Sequence, residues 1–180
     1  MKMKKCVYLL ALSFAYLIIA SSAYAHLAEI GGVGSEIEFS DFTGQQFEHP
    51  DADPFKGWAF VYVKNTSQTA WGDFHFEIYQ YDTSDISNVS FIVDSPFEPV
   101  STQTLSNVIV DNDVVGATLD LEFYNDPVLP GQVATFQVYT DNTTNQGNFG
   151  LLIYPSVVPE PATILLLSLG GAAILGKRRK

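Results

Sequence analysis

An alternation of apolar and polar residues along residues 73–80 is the feature that most limits how this chain can fold. Phe74, Phe76 and Ile78 would take one side of an extended chain, and polar residues would take the other. Because the side chains of a strand point alternately to its two faces, this pattern predicts a strand with one face in a core. The same alternation recurs at residues 118–123 and 133–139.

Turn-forming residues separate these segments from other candidate strands. Pro130-Gly131 is predicted at the centre of a type II turn, where Gly131 supplies the positive φ, and Asn65-Thr66-Ser67 is predicted as a turn. No segment has the periodicity of an amphipathic helix. We therefore predict an all-β fold, an antiparallel β-sandwich of immunoglobulin-like or jelly-roll type. The candidate strands are 36–42, 57–64, 73–80, 89–93, 106–110, 117–124, 133–140 and 149–154.

The first 25 residues have the three parts of a secretory signal peptide. Three lysines within the first five residues precede an apolar run at 7–20, and Ala23 and Ala25 form an A-x-A cleavage site. We expect cleavage after Ala25, which makes His26 the first mature residue. A retained membrane anchor is the alternative, and the short run disfavours it. Cys6, the one cysteine, would be removed with the signal, so no disulfide is expected.

The C-terminus has a second apolar segment with a basic end. Pro159-Glu160-Pro161 precedes the apolar residues 164–176. The prolines disfavour helix and keep this stretch extended and accessible. As a transmembrane helix, residues 162–176 would span roughly 22 Å, and the basic end would stay in the cytoplasm. That basic cluster is Lys177, Arg178, Arg179 and Lys180.

The Pro-Glu-Pro motif, an apolar segment containing Gly170-Gly171 and the basic cluster, in this order, resemble the PEP-CTERM sorting signal. The resemblance covers residues 158–180, and the alternative is a plain tail anchor. It implies export through the secretion translocon and processing by exosortase, a membrane-embedded cysteine transpeptidase. The implied route passes through the inner membrane of a Gram-negative-type bacterium to the cell surface or extracellular matrix. The middle of the chain resembles no named enzyme or lectin family.

Residues 26–157 are the single domain that this organisation leaves, and that domain is strongly acidic. Of the 20 acidic residues only Glu160 lies outside it, and of the nine basic residues only Lys56 and Lys64 lie inside it. Nineteen acids against two cations give a net charge of −17. Such a surface repels nucleic acid and anionic lipid. The simplest interpretation of the acidity is that it keeps the domain soluble.

Two acidic loops are the candidates for a metal site. Asp51 and Asp53 lie in a loop bounded by prolines, and Asp111 and Asp113 lie between two predicted strands. Calcium prefers carboxylate and carbonyl oxygens, so it is the cofactor that these loops suggest. The alternative is that both are Asx-rich turns, which need no metal.

The sequence shows no catalytic constellation, so we expect a non-enzymatic protein. There is no Gly-x-Ser-x-Gly motif, and His75 is predicted on the polar, solvated face of its strand. The predicted function is that of a cell-surface or matrix protein associated with exopolysaccharide or biofilm.

The alternative function is a carbohydrate-binding module, assisted by calcium, and it depends on the aromatic residues. Such a module requires solvent-facing Tyr or Trp side chains clustered on one sheet face. Trp58 and Trp71 are expected in the core. Tyr79, Tyr81 and Tyr139 are expected on or near polar faces, where they could stack on a ligand.

Overall fold

The computed structural model describes residues 26–144 and 147–157, which contain strands and no helix. The predicted signal peptide at 1–25 and the predicted tail at 158–180 lie outside these residues. Within the described ranges, no helix is long and apolar enough to cross a membrane. The strands are β1 (His26–Ile30), β2 (Ile37–Phe39), β3 (Gln45–His49), β4 (Lys56–Asn65), β5 (Trp71–Tyr79), β6 (Ser90–Ile92), β7 (Val100–Ser101), β8 (Asn107–Asp111), β9 (Thr118–Glu122), β10 (Val133–Asp141) and β11 (Phe149–Val157).

The strands form two sheets that pack face to face. The first sheet has the order β1-β4-β10-β6, with β2 also paired to β4 and β7 also paired to β10. The second sheet has the order β3-β11-β5-β9-β8. The predicted all-β fold with two sheets is confirmed. The choice between an immunoglobulin-like and a jelly-roll topology stays a prediction.

The first sheet is not purely antiparallel, which corrects the predicted pairing. Both β1 and β2 run parallel to β4 and lie one after the other along its edge. Gly31 lies between them with φ +75°, and a Cβ there would lie 2.7 Å from the carbonyl oxygen of Tyr62. Alternation of side chains is the same in parallel and antiparallel strands, so the sequence pattern could not distinguish the two.

Aromatic side chains fill the space between the sheets. Phe74 of β5 stacks on Phe136 of β10, with ring centroids 4.7 Å apart and an interplanar angle of 21°. As predicted, the apolar side of β5 is buried, and so is the apolar side of β10. The largest fully buried aromatic side chains are Trp71, Phe39, Phe74, Phe76, Phe91, Phe123, Phe136 and Phe149.

A buried asparagine organises the connection from the first sheet to the second. Asn65 donates from Nδ2 to the carbonyl oxygens of Thr69 and Val128, both at 2.9 Å. Its Oδ1 accepts from the backbone N–H of Ser67 at 3.0 Å and from the Ser67 hydroxyl at 2.7 Å. These bonds satisfy the buried amide, as burial of a polar group requires. The predicted turn at this place is thereby confirmed.

The Pro-Gly turn before β10 also forms as predicted. Gly131 has φ +83°, and the N–H of Gln132 donates to the carbonyl oxygen of Leu129 at 3.0 Å. That is the hydrogen bond of a β-turn with a left-handed third residue.

Strand register places the loops at two opposite ends of the sandwich. One end, here called the acidic end, carries the β3–β4, β5–β6, β8–β9 and β10–β11 loops. β11 starts at this end and finishes at Val157, opposite Trp71, at the other end. The chain therefore leaves the sandwich toward residue 158 at the end opposite the acidic one.

Candidate functional site

The outer face of the second sheet holds a charged cluster around His75. Its Nδ1 lies 2.5 Å from Oδ1 of Asp120 on β9, and its Nε2 lies 3.0 Å from Oδ1 of Asp73 on β5. The second contact is an ion pair and not a hydrogen bond, because Nε2–H of His75 is not well aligned with Oδ1 of Asp73. The imidazole stacks on the ring of Tyr154, 4.7 Å away at 19°. Tyr124 donates its hydroxyl to Asp73 at 3.1 Å.

This cluster corrects the prediction of a solvated His75. The His75 side chain is 20% exposed and that of Asp73 only 8%. The residues come together because Asp120 lies opposite His75 in the β5–β9 pairing, and Tyr154 lies opposite it in the β5–β11 pairing. Sequence alternation placed His75 on the outer face, but it could not show which partners the neighbouring strands would bring.

The two carboxylates favour the charged form of the imidazole. Burial lowers the pKa of His75, but the contacts with Asp73 and Asp120 outweigh it and raise that pKa above 6.5. For Asp73, burial acts to raise the pKa. The interactions with His75, Ser156 and Tyr124 outweigh burial, so the pKa of Asp73 is lowered. Burial and the neighbouring Asp73 raise the pKa of Tyr124 to about 12. With a carboxylate at each ring nitrogen, His75 presents no free nitrogen to a substrate in this arrangement.

The first predicted calcium loop is held by neighbouring side chains. Asp51 accepts through Oδ2 from Nδ2 of Asn142 at 2.5 Å, and its own N–H donates to Oδ1 of Asn148 at 3.2 Å. Asp53 is exposed. The Asp51 carboxylate thus helps to fix the β10–β11 loop against the β3–β4 loop.

In the second predicted calcium loop, the asparagine between the aspartates makes the long-range contacts. Oδ1 of Asp111 accepts from the N–H of Asp113 at 3.0 Å, which is an Asx turn. Asn112 accepts from the N–H of Phe91 at 3.0 Å and donates to its carbonyl oxygen at 2.8 Å. These two bonds tie the loop of the second sheet to β6 of the first sheet.

Both calcium loops lie at the acidic end, and the structure does not join them into one cluster. Within residues 26–144 and 147–157, no three His, Cys, Asp or Glu side chains are grouped so as to hold a metal ion. A calcium site at Asp51 and Asp53, or at Asp111 and Asp113, stays a prediction.

A groove of about 510 Å³ also opens at the acidic end. Three carboxylates line it together with Tyr81, whose side chain is 38% exposed as predicted. Asn148 donates to Oε1 of Glu48 at 2.6 Å on its wall. The lining residues are Glu48, Tyr81, Asp82, Thr83, Ser84, Asp85, Gly147 and Asn148.

The outer face of the first sheet carries a row of aromatic residues along β4. Inward and outward residues alternate along this strand, and the outward ones include Trp58, Phe60 and Tyr62. All three are half-buried, so part of each side chain stays open to solvent. Lys56 precedes this aromatic row and Lys64 follows it on the same face.

Two predictions about single aromatic residues are wrong at this face. Trp58, expected in the core, lies on the outer face, next to Phe97 and Tyr139 at centroid distances of 6.3 Å and 5.2 Å. Tyr139, expected to be available for stacking, is only 5% exposed because Phe97 stacks on it at 4.1 Å. Trp71 is fully buried as predicted. Tyr79 is half-buried, and its ring covers Gly150.

Sequence reasoning missed the aromatic row as a unit, although the sequence does carry a signal for it. In the segment 56–64, the residues between the alternate positions are small or aliphatic. The alternate positions themselves hold, in order, Lys56, Trp58, Phe60, Tyr62 and Lys64. The period of two predicts that the five share one face. What the alternation could not decide is which face is the outer one, because an aromatic row is equally typical of a core.

The predicted sorting motif and signal-cleavage site fall mostly outside the described residues. Pro159, Glu160, Pro161 and the basic cluster follow the last described residue, Val157, and Ala23 and Ala25 precede the first. His26 is the first residue of β1. β11 therefore runs to within two residues of Pro159.

Comparison with known proteins identifies the C-terminal segment. No curated protein and no solved structure matches the chain. The PEP-CTERM protein-sorting motif matches residues 157–180, beginning at the last residue of β11. Because this motif is the recognition signal of exosortase, it marks its bearer for export and for the cell surface or extracellular space. The chain therefore carries a PEP-CTERM sorting signal at residues 157–180, and its all-β domain runs directly into this exosortase-recognition segment.

Proposed function

We propose that the protein is a non-enzymatic cell-surface or matrix component that associates with exopolysaccharide after processing by exosortase. The observation that carries this proposal is the junction at Val157. The last strand of the sandwich reaches Val157, the residue at which the matched sorting motif begins, so the sandwich is the cargo that the motif delivers.

The non-enzymatic part of the proposal is supported by the state of His75. The sequence predicted this histidine on a solvated strand face, and in the structure both of its ring nitrogens face carboxylates. A general base needs a free nitrogen within hydrogen-bond reach of the proton that it abstracts. The cluster suits a stabilising role on the sheet surface instead.

The route of delivery follows from the order of the C-terminal segments. The apolar residues 164–176 and the basic cluster hold the precursor in the inner membrane, and Pro159-Glu160-Pro161 is presented to exosortase. After cleavage, the sandwich leaves the membrane with a new C-terminus close to Val157. Neither step requires the sandwich to change its fold.

The test is to break recognition and membrane retention separately. Replacing residues 159–161 with three alanines should leave an uncleaved protein in the inner membrane. Deleting residues 164–180 should instead release the sandwich into the periplasm. Both variants should show the same thermal unfolding as the wild type, because neither change touches the core. If the triple-alanine variant is processed and delivered like the wild type in a host with exosortase, the proposed sorting role is wrong.

A carbohydrate-binding module is the second candidate function, and one observation favours it. Such a module needs aromatic side chains grouped on one sheet face, and the aromatic row on β4 is such a group.

A further inference from the structure

We propose that the outer face of β4 binds an uncharged polysaccharide, with Trp58, Phe60 and Tyr62 stacking on its sugar rings. This inference rests on the proposed function, because it names the ligand class for the domain that the sorting motif delivers. It concerns a face of the first sheet that is separate from both the His75 cluster and the acidic end.

The geometry of the aromatic row suits an extended ligand. Trp58 and Tyr62 are four residues apart on a strand, so the row is roughly 13 Å long. Leu27, Val100 and Val133 widen the same face on neighbouring strands and are 54%, 49% and 46% exposed. The face is therefore an open apolar platform and not a closed pocket.

Hydrogen-bonding side chains lie next to the rings. Gln137 on β10 is paired with Phe60, and Thr135 is paired with Tyr62, so both side chains stand beside the row on the same face. An amide and a hydroxyl beside aromatic rings match a sugar, which has apolar C–H faces and hydroxyl groups at its edge.

The charges around the row argue against an anionic ligand. Lys56 and Lys64 are the only lysine or arginine residues in a domain with 19 acids, and both stand on this face. Lys56 pairs with Asp141 at 2.6 Å, and Lys64 pairs with Glu38 at 3.4 Å. Each lysine thus cancels an acid at one end of the row. Beside the middle of the row stands one further carboxylate, the exposed Glu29 of β1, which is paired with Phe60 and opposes an anionic ligand.

The same charge argues against other occupants of this face. A polyanion would be repelled by the molecule as a whole, and the two lysines are already paired. A second copy of the chain would bring two domains of −17 together, which self-repulsion opposes. An uncharged glycan meets no such barrier.

The experiment measures glycan binding by the full-length chain in detergent. The probes are insoluble cellulose, soluble hydroxyethylcellulose, xylan and mannan as uncharged glycans, and alginate as a polyanion. We expect retention by at least one uncharged glycan and none by alginate. Since the contact is not ionic, retention should change little between 50 and 500 mM salt, whereas ion-pair binding would weaken.

The main variant is Phe60→Ser with Tyr62→Ser, which removes two rings from the row. Trp58 is left in place because it also packs on Phe97 and Tyr139. Each ring contributes stacking contact to the ligand, so losing two rings should weaken binding roughly tenfold or more. The control is Tyr81→Ser, which removes an exposed ring at the acidic end and should leave binding unchanged.

Three results would overturn the inference. The first is binding that the double variant leaves unchanged while thermal unfolding shows it folded. The second is no retention of the wild type by any of the uncharged glycans. The third is a wild-type dimer that the double variant makes monomeric, which would make this face a contact between copies. None of these results bears on tail processing, so the inference can fail while the proposed sorting role stands.

Discussion

Replacing His75 with glutamine should destabilise the sandwich more at mildly acidic pH than at alkaline pH. The substitution removes the cation between two carboxylates, one of which is only 8% exposed. Removing one partner of a buried ion pair costs about 3–5 kcal/mol. The loss here should be smaller, because Asp73 keeps its hydrogen bond from the Tyr124 hydroxyl and the Asp120 side chain is 33% exposed to solvent. We therefore expect His75→Gln to lower the free energy of unfolding by about 2–3 kcal/mol. For a domain of this size that lowers Tm by roughly 6–12 °C.

The pH dependence of this loss follows from the two pKa shifts. The folded-state pKa of His75 is raised above 6.5, so its contribution is complete below pH 6.5 and is lost as pH rises through the raised value. The pKa of Asp73 is lowered from 3.8, so its contribution is present above pH 3.8 and is lost as pH falls through the lowered value. The cluster therefore contributes most between about pH 4 and pH 6.5.

Urea unfolding at pH 5.5 and pH 8.5 measures this effect. The difference in unfolding free energy between the wild type and His75→Gln should be larger at pH 5.5. Glu77→Gln, which changes a carboxylate on the same face of β5 and leaves His75 and the two aspartates in place, serves as the control. An equal loss at both pH values, or no loss at all, would refute the argument that His75 is a charged partner of the two aspartates.

Further predictions concern the core, a close contact, the acidic loops and the mature N-terminus. Phe74→Ala should cost about 3–5 kcal/mol in urea unfolding, because this fully buried ring joins the two sheets. Gly150→Ala should destabilise by about 1–3 kcal/mol, since its Cβ would overlap the Tyr79 ring; an unchanged Tm would contradict that contact. If calcium binds the two acidic loops, a calcium concentration 100-fold above Kd should raise the free energy of unfolding by about 2.7 kcal/mol, and Asp→Asn at the four aspartates should abolish that gain. N-terminal sequencing of envelope material should begin at His26; a sequence that starts at Met1 would contradict signal cleavage.

The sequence predicted the faces of the long strands but missed three short or edge strands. β5 and β10 alternate clearly, and their apolar sides are buried as predicted. β1, β3 and β7 were not predicted, because each is short or at an edge and gains its place by pairing with a longer strand. Edge strands with half their backbone groups unpaired do not need a strong pattern of their own.

The side-chain clusters depend on strand register, which one sequence does not show. His75 and Asp120 are 45 residues apart, and only the β5–β9 pairing brings them together. The two-residue period of β4 was enough to place the two lysines on the same face as the aromatic row. Their partners, Asp141 and Glu38, come from β10 and β2 and again depend on pairing.

The most direct test of the account is the intact mass of the protein recovered from the cell envelope, with and without exosortase. In a host with exosortase, we expect a species that begins at His26 and lacks residues 164–180. In a host without it, we expect a membrane-bound species that begins at His26 and still ends at Lys180. A protein that ends at Lys180 in both hosts would contradict the claim that residues 157–180 are a sorting signal that delivers the β-sandwich.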